Sequence, residues 1–359
     1  MTTTHTAADA APTDAAATTA ATVPAETKQR LPLARAINAG LRRALATDDH
    51  VMLMGEDIGR LGGVFRVTDG LQAEFGTQRV VDSPLAESGI LGTAIGLAMA
   101  GYRPVVEIQF DGFVFPAFDQ ITTQLAKLRY RTGGRLEMPV VIRIPYGGSI
   151  GAIEHHSESP EALFAHTAGL RIVTPATAAD GYTMIQQAIA SPDPVIFLEP
   201  KSRYWDKGEV DLREGATELG PDGWRSLHVA RTVRAGSDLT IAAYGPTVAT
   251  ALAAAQVAEQ EGRDVEVIDL RSVSPIDFDT LTESVMRTGH LVVVHEAPVF
   301  FGSGAEIAAR ITERCFHALE APVLRVGGFH TPYPASSIEA EYLPSLDRVL
   351  DAVDRSLAY

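Results

Sequence analysis

The sequence predicts an α/β protein in which a parallel-sheet domain is followed by a second, smaller α/β domain. Three observations predict it. Short β-branched runs recur along the chain, and segments of helical apolar spacing, 10–17 residues long, separate them. Between residues 201 and 236 this rhythm breaks in a stretch of charged residues and scattered glycines, then resumes. Apolar strands joined through helical crossovers must bury both faces of the sheet, which is the parallel arrangement.

In chain order, Leu33 to Ala46 places Ile37, Leu41, Ala44 and Leu45 at helical spacing, and Val51-Met-Leu-Met54 is a short apolar run closed by Gly55. Arg79-Val-Val-Asp82 leads into a small-residue helix from Leu85 to Met99. Next come a strand over Pro104–Phe110, one helix from about Pro116 to Arg129, and a strand over Pro139–Ile144. A strand over Arg171–Thr174, a helix over Ala178–Ala190 and a strand over Val195–Leu198 complete the first half. Residues 206–236 read as a connector between domains 29–205 and 237–359. The second domain alternates strands (Leu239–Tyr244, Val265–Leu270, Leu291–Val294, Val323–Val326) with helices, one ending near Glu261 and one over Ala305–Leu319. It ends in an amphipathic helix carrying Leu346, Val349, Leu350, Val353 and Leu357.

Ten alanines and eight threonines in the first 25 residues predict a disordered tail over residues 1–28. It has neither the basic start and apolar core of a secretory signal nor the arginines of a transit peptide. The 359 residues are 46% hydrophobic and 21% charged, enough for two cores. Forty-five acidic against 30 basic residues give a net charge of −15, which argues against a general binder of nucleic acid or anionic membrane. No run approaches the roughly 20 apolar residues of a membrane span. A single cysteine, Cys315, excludes an intrachain disulfide framework and fits a cytoplasmic location.

Ligands of open α/β sheets sit at the carboxyl ends of strands, so the loops after Asp82, Phe110 and Ile144 are the candidate sites. Glu87 falls in the first turn of the helix rich in small residues, where a carboxylate either caps the helix or does chemistry. Phe110, Phe113, Phe115 and Phe118 crowd nine residues and serve either a core or a stacking platform for a flat heterocycle. The glycine-rich loop from Tyr146 runs into His155 and His156, either surface histidines or acid–base groups; no third ligand stands at zinc spacing. Neither G-x-G-x-x-G after the first strand nor a P-loop is present, which argues against nicotinamide dehydrogenases and P-loop nucleotide enzymes.

Taken in order, Gly55-Glu-Asp-Ile58, Gly62-Gly-Val-Phe-Arg66, Ser83-Pro-Leu-Ala-Glu-Ser-Gly-Ile90, Glu107-Ile-Gln-Phe110, Phe115-Pro-Ala-Phe-Asp-Gln120, His156-Ser-Glu-Ser-Pro-Glu161, Phe197-Leu-Glu-Pro-Lys201, Val267-Ile-Asp-Leu-Arg271, His295-Glu-Ala297 and Leu319-Glu-Ala-Pro322 resemble one family. It is the beta subunit of the thiamine diphosphate-dependent 2-oxo acid dehydrogenases, and the likeness runs from about Leu31 to Tyr359. The resemblance implies a pyrimidine-binding domain followed by a transketolase-type C-terminal domain. It also implies an α2β2 heterotetramer with an alpha subunit, and acyl transfer to the lipoyl domains of a dihydrolipoyl acyltransferase core. Such cofactor sites grip magnesium and diphosphate with a Gly-Asp-Gly turn, which this sequence lacks. Mg2+ and the diphosphate would then be held mainly by the alpha subunit.

Residue by residue, the likeness makes Glu87 a buried acid that shares a proton with the pyrimidine ring, Phe113 an aromatic against that ring and Leu85 a neighbouring contact. His156 becomes the histidine that assists acyl transfer, and His155 receives no role. Branched-chain relatives bind K+ through backbone carbonyls, which here would be those of Met138, Val140, Val141 and Asp193. The segments at 115–120 and 156–161 resemble the branched-chain type more than the pyruvate type. A branched-chain 2-oxo acid such as 2-oxoisovalerate is therefore the expected substrate, with pyruvate or acetoin as alternatives and a non-catalytic assembly subunit as the alternative of a different class.

Overall fold

The computed structural model describes residues 27–213 and 223–359, so most of the expected tail, and part of the connector, lie outside the described residues. Fourteen strands are present among them: β1 (Lys28–Pro32), β2 (Val51–Gly55), β3 (Val80–Asp82), β4 (Arg103–Glu107), β5 (Val141–Tyr146), β6 (Arg171–Val173), β7 (Val195–Pro200), β8 (Lys207–Asp211), β9 (Arg231–Arg234), β10 (Leu239–Ala243), β11 (Val265–Asp269), β12 (Ser272–Ser274), β13 (Leu291–Pro298) and β14 (Leu324–Gly328).

The larger sheet has the order β12-β6-β7-β5-β4-β2-β3 and is parallel except for β12. The smaller has the order β14-β13-β10-β11-β9 and is parallel except for β9. Central strands such as β5, β7, β10 and β11 are buried at every position, as apolar runs under helices on both faces require. Helix starts follow side-chain chemistry where it is available: the hydroxyl of Thr177 accepts the amide of Asp180, and the carboxylate of Asp277 accepts that of Thr280. No helix among the described residues is long and apolar enough to cross a membrane.

Three expectations change. Lys28, counted with the tail, already pairs with Asp211 in the antiparallel β1–β8 ribbon. The connector is not featureless, since it contains β8, a 3-10 turn over Gly223–His228 and β9. The single helix expected from Pro116 to Arg129 is a 3-10 segment Asp111–Ala117, a π segment Gln120–Leu125 and a short helix Ala126–Arg131. Pro116 stands at the expected start of that helix, a position that tolerates proline, so the departure from a regular helix lies downstream in the π segment.

The two sheets meet through polar groups as well as apolar ones. Glu161, fully buried, accepts the Tyr244 hydroxyl at 2.7 Å, and Tyr244 in turn lies 2.6 Å from the Ser303 hydroxyl. Burial pushes the Glu161 carboxyl up to about 7. A carboxyl with a folded-state value of about 7, against an ordinary 4.5, binds its proton more tightly folded than unfolded. Its contribution to stability is therefore full below about 4.5 and declines until pH reaches about 7. Glu161→Gln removes this titration. The melting temperature of the variant relative to wild type should rise steadily between pH 5 and 7.5, with a ceiling of about 3 kcal/mol at the upper end. Parallel curves for the two proteins would show that Glu161 does not titrate in that range.

Candidate active site

Because β2, β3, β4, β5 and β7 run parallel, their carboxyl ends share one edge of the larger sheet. That edge gathers Glu56 after β2, Ser83–Glu87 after β3, Ile108–Phe113 after β4, the glycine-rich loop to His156 after β5 and Lys201 after β7. Glu87 is the first residue of the helix Glu87–Met99. The 3-10 segment Asp111–Ala117 packs against both that helix and the turn Glu154–His156.

The Glu87 carboxylate is half-buried and has no hydrogen bond or ion pair to any described residue, so it does not act as a helix cap. The chain by itself leaves it less enclosed than the family resemblance implies. Glu56, whose own carboxyl is pushed up by burial, by the charge of Glu87 and by Asp57, lies within electrostatic reach of it. Leu85 stands 75% exposed two residues before this helix start.

The four phenylalanines divide. Phe110 and Phe113 meet the imidazole of His156 edge-on, with ring centroids 4.3 and 5.2 Å away, while Phe115 and Phe118 pair with each other and Phe118 reaches Phe164. The His156 ring makes no hydrogen bond to a described residue, so both nitrogens are free for a ligand. Burial, the charge of Lys201 and that of His155 hold its pKa below the ordinary histidine value, and Glu154 opposes them. His155 is exposed.

Sequence reasoning passed over Asp111 and Lys201, both of which are buried here. Lys201 Nζ donates to Asp111 Oδ1 at 2.6 Å and to the backbone carbonyl of His156 at 2.5 Å. It also passed over Arg143, a fully buried guanidinium bonded to Glu107 and Glu199 beneath the same edge. An arginine inside an otherwise apolar strand was the available signal.

The donor set fits the aminopyrimidine end of thiamine diphosphate: Glu87 offers carboxylate oxygens with no other partner, and Phe113 offers a half-buried aromatic face. No cluster of three or more His, Cys, Asp or Glu among the described residues could hold a metal ion, so Mg2+ finds no side-chain cage in them. The segments named for K+ do converge, since the amide of Met138 donates to the carbonyl of Pro192 and that of Val195 to the carbonyl of Val140. The Met138 carbonyl likewise accepts the Val140 amide. Val141 lies inside β5, and the Asp193 carboxylate is already clasped by Arg129 and Arg171, which hold its pKa down. The backbone carbonyl of Asp193, the atom the K+ expectation concerns, accepts the Ser191 hydroxyl at 3.1 Å.

Comparison with known proteins agrees with this geometry. Residues 29–206 match the transketolase pyrimidine binding domain family and residues 228–349 the transketolase C-terminal domain family. The chain is 62% identical over 331 residues to a pyruvate dehydrogenase E1 component subunit beta of Leifsonia xyli, covering 92% of this chain and 96% of that one. It is 52% identical over 330 residues to a 3-methyl-2-oxobutanoate dehydrogenase subunit beta of Mycobacterium tuberculosis, covering 92% of each. A 2-oxoisovalerate dehydrogenase subunit beta of Pseudomonas aeruginosa is 43% identical over 340 residues, covering 92% of this chain and 96% of that one. In fold it resembles a split-gene transketolase solved as an inactive beta4 tetramer, with a TM-score of 0.71 at 24% identity over 91% of this chain and 98% of that one. From the parallel-sheet edge, the free acid and imidazole gathered there and these relatives, the chain belongs to the beta subunits of the thiamine diphosphate-dependent 2-oxo acid dehydrogenases.

Proposed function

We propose that this chain, assembled with an alpha subunit as an α2β2 heterotetramer in the cytoplasm, oxidatively decarboxylates branched-chain 2-oxo acids such as 2-oxoisovalerate and passes the acyl group to lipoyl domains of an acyltransferase core. One observation supports the chemistry above all: the unpartnered imidazole of His156 rests against Phe110 and Phe113, and the segment Asp111–Ala117 that carries Phe113 also packs on the helix that opens with the unpartnered Glu87. Bound thiamine diphosphate supplies the electron sink for decarboxylation. Glu87 holds the proton shared with the pyrimidine ring, and Phe113 orients that ring by its face. Phe110 and Phe113 shield two sides of the His156 ring from water. The imidazole would donate a proton to the sulfur that leaves when the lipoyl S–S bond opens, while the other sulfur takes the acyl carbon; with its pKa held down, it gives that proton up readily.

The branched-chain choice is supported by the likeness of the segments at 115–120 and 156–161 to the branched-chain type and by the apolar rings of Phe110 and Phe113 beside His156. Pyruvate is the second reading, favoured by the name of the Leifsonia xyli relative at 62% identity. The test is a competition with the reconstituted heterotetramer and an artificial electron acceptor. The expected result is a roughly 10–200-fold higher kcat/KM for 2-oxoisovalerate than for pyruvate, the value of added methyl groups in an apolar pocket. The chain without an alpha subunit should release no carbon dioxide, since it lacks the Gly-Asp-Gly turn. A preference for pyruvate selects the second reading, robust activity of the chain alone overturns the shared site, and no activity from the heterotetramer with either acid leaves an assembly role.

A further inference from the structure

We infer that Lys201 and Asp111 form a positioning pair that fixes where His156 stands and which protonation state it holds; the inference rests on the acyl-transfer role proposed for His156. Both side chains are almost completely excluded from water, at 2% and 1% exposure. Lys201 sits where β7 ends, Asp111 opens the 3-10 segment, and their 2.6 Å ion pair ties the two strand ends together across 90 residues of sequence. The pair grips the histidine turn at two backbone points. Lys201 donates to the carbonyl of His156, and the second oxygen of Asp111 accepts the amide of Glu158 at 2.8 Å.

A third constraint comes from Gly112. A Cβ there would lie 2.5 Å from the carbonyl oxygen of His155 and 2.8 Å from its Cα, so the 3-10 segment presses directly on the turn's backbone. The Lys201 ammonium also sits 5.5 Å from the centroid of Phe110, the ring against which the imidazole rests. None of these contacts uses a ring nitrogen of His156. The imidazole is therefore placed through its main chain and its ring faces while both nitrogens stay available.

The same arrangement determines charge. Around the imidazole stand His155 and Glu154 on its own turn, Lys201 at the end of β7, Asp111 on the 3-10 segment and Glu158 just downstream, with Glu296 of the second sheet acting on Lys201. A buried ammonium beside an imidazole disfavours a second positive charge. Burial works against both members of the pair, raising the Asp111 carboxyl to about 6 and lowering Lys201, and each opposes the other's shift. Such a pair is a poor source of net stability but a well-attested device for fixing one geometry.

The experiment compares Lys201→Met and Lys201→Arg with His156→Ala in the reconstituted heterotetramer. Lipoyl-domain acylation and dye-linked decarboxylation are measured on the same preparations across pH 5.5–8.5, and His156 is followed by histidine NMR titration in the chain. Lys201→Met should lower the ratio of acylation to decarboxylation at least fivefold and move the alkaline limb of acylation up by about one pH unit, with the NMR midpoint rising in step. Lys201→Arg keeps the charge, so its alkaline limb should stay at the wild-type position even where its rate falls. If Lys201→Met does not assemble, Lys201→Gln, which removes the charge and retains a donor, should show the same upward shift.

An unchanged NMR midpoint and alkaline limb in a folded Lys201→Met overturns the inference, as does an equal fall in both half-reactions. Unimpaired acylation by His156→Ala overturns the acyl-transfer role itself, and the kinetic part of the inference with it. In that case the NMR midpoint still decides whether Lys201 sets the state of the imidazole.

Discussion

Glu87→Gln should lower turnover of the assembled enzyme on the order of 10²–10³-fold while leaving the chain folded and paired with its alpha subunit. The amide preserves the shape of the side chain but cannot share a proton with a ring nitrogen. Because Glu87 makes no hydrogen bond to a described residue, a fall in rate with an unchanged melting curve is a loss of chemistry and not of stability. The check is a steady-state assay with bound cofactor quantified, alongside a melting curve. A variant within about twofold of wild type would remove Glu87 from the chemistry.

The largest effect on stability is expected at Arg143. It is 2% exposed and bonds Glu107 Oε2 at 2.6 Å and both oxygens of Glu199 at 2.6 and 2.9 Å, and the Tyr204 hydroxyl also donates to Glu199. Glu107 is directly opposite Arg143 on the neighbouring strand, so the two carboxylates flank one cation in the middle of the sheet. Arg143→Met removes the only guanidinium and leaves two buried acids facing each other. Breaking a buried pair in this way costs about 3–5 kcal/mol. Chemical unfolding should show it as a lower midpoint at an unchanged slope. A loss below about 1 kcal/mol would mean that the two acids share a proton and need no cation. Replacing all three residues by apolar ones should recover most of the loss, because the charges then leave together.

What could be read in the sequence, and what could not, follows from which signals are local. Strands β5, β7, β10, β11 and β13 announce themselves because burial on both faces demands continuous apolar runs. Strands β1 and β8, Lys-Gln-Arg-Leu-Pro and Lys-Gly-Glu-Val-Asp, have no such pattern; they exist because they find each other across about 180 residues, from Lys28 to Asp211. The helix Phe278–Thr288 escaped notice because Ser284 and Thr288 take buried positions on its inner face, where their hydroxyls bond Thr240. Glu87 and His156 were legible because a carboxylate and an imidazole just past strand ends are conspicuous by type. Asp111 and Lys201 stand in the same recognised segments, but what distinguishes them is a contact between loops that only the sheet order creates.

Strand β12 bears on how the chain is made. It comes from the stretch after β11, in the second sheet, yet it closes the outer edge of β6 in the first. A ribosome releasing this polypeptide in order therefore exposes β6 with open backbone groups until Ser274 has emerged, some 100 residues later. An uncovered strand edge is a template for pairing with a neighbouring nascent chain. Premature termination anywhere between residues 174 and 271 would fix that exposure permanently. A truncated chain meant to fold as the first lobe alone should thus carry the segment through Ser274, or a substitute strand, if it is to stay in solution.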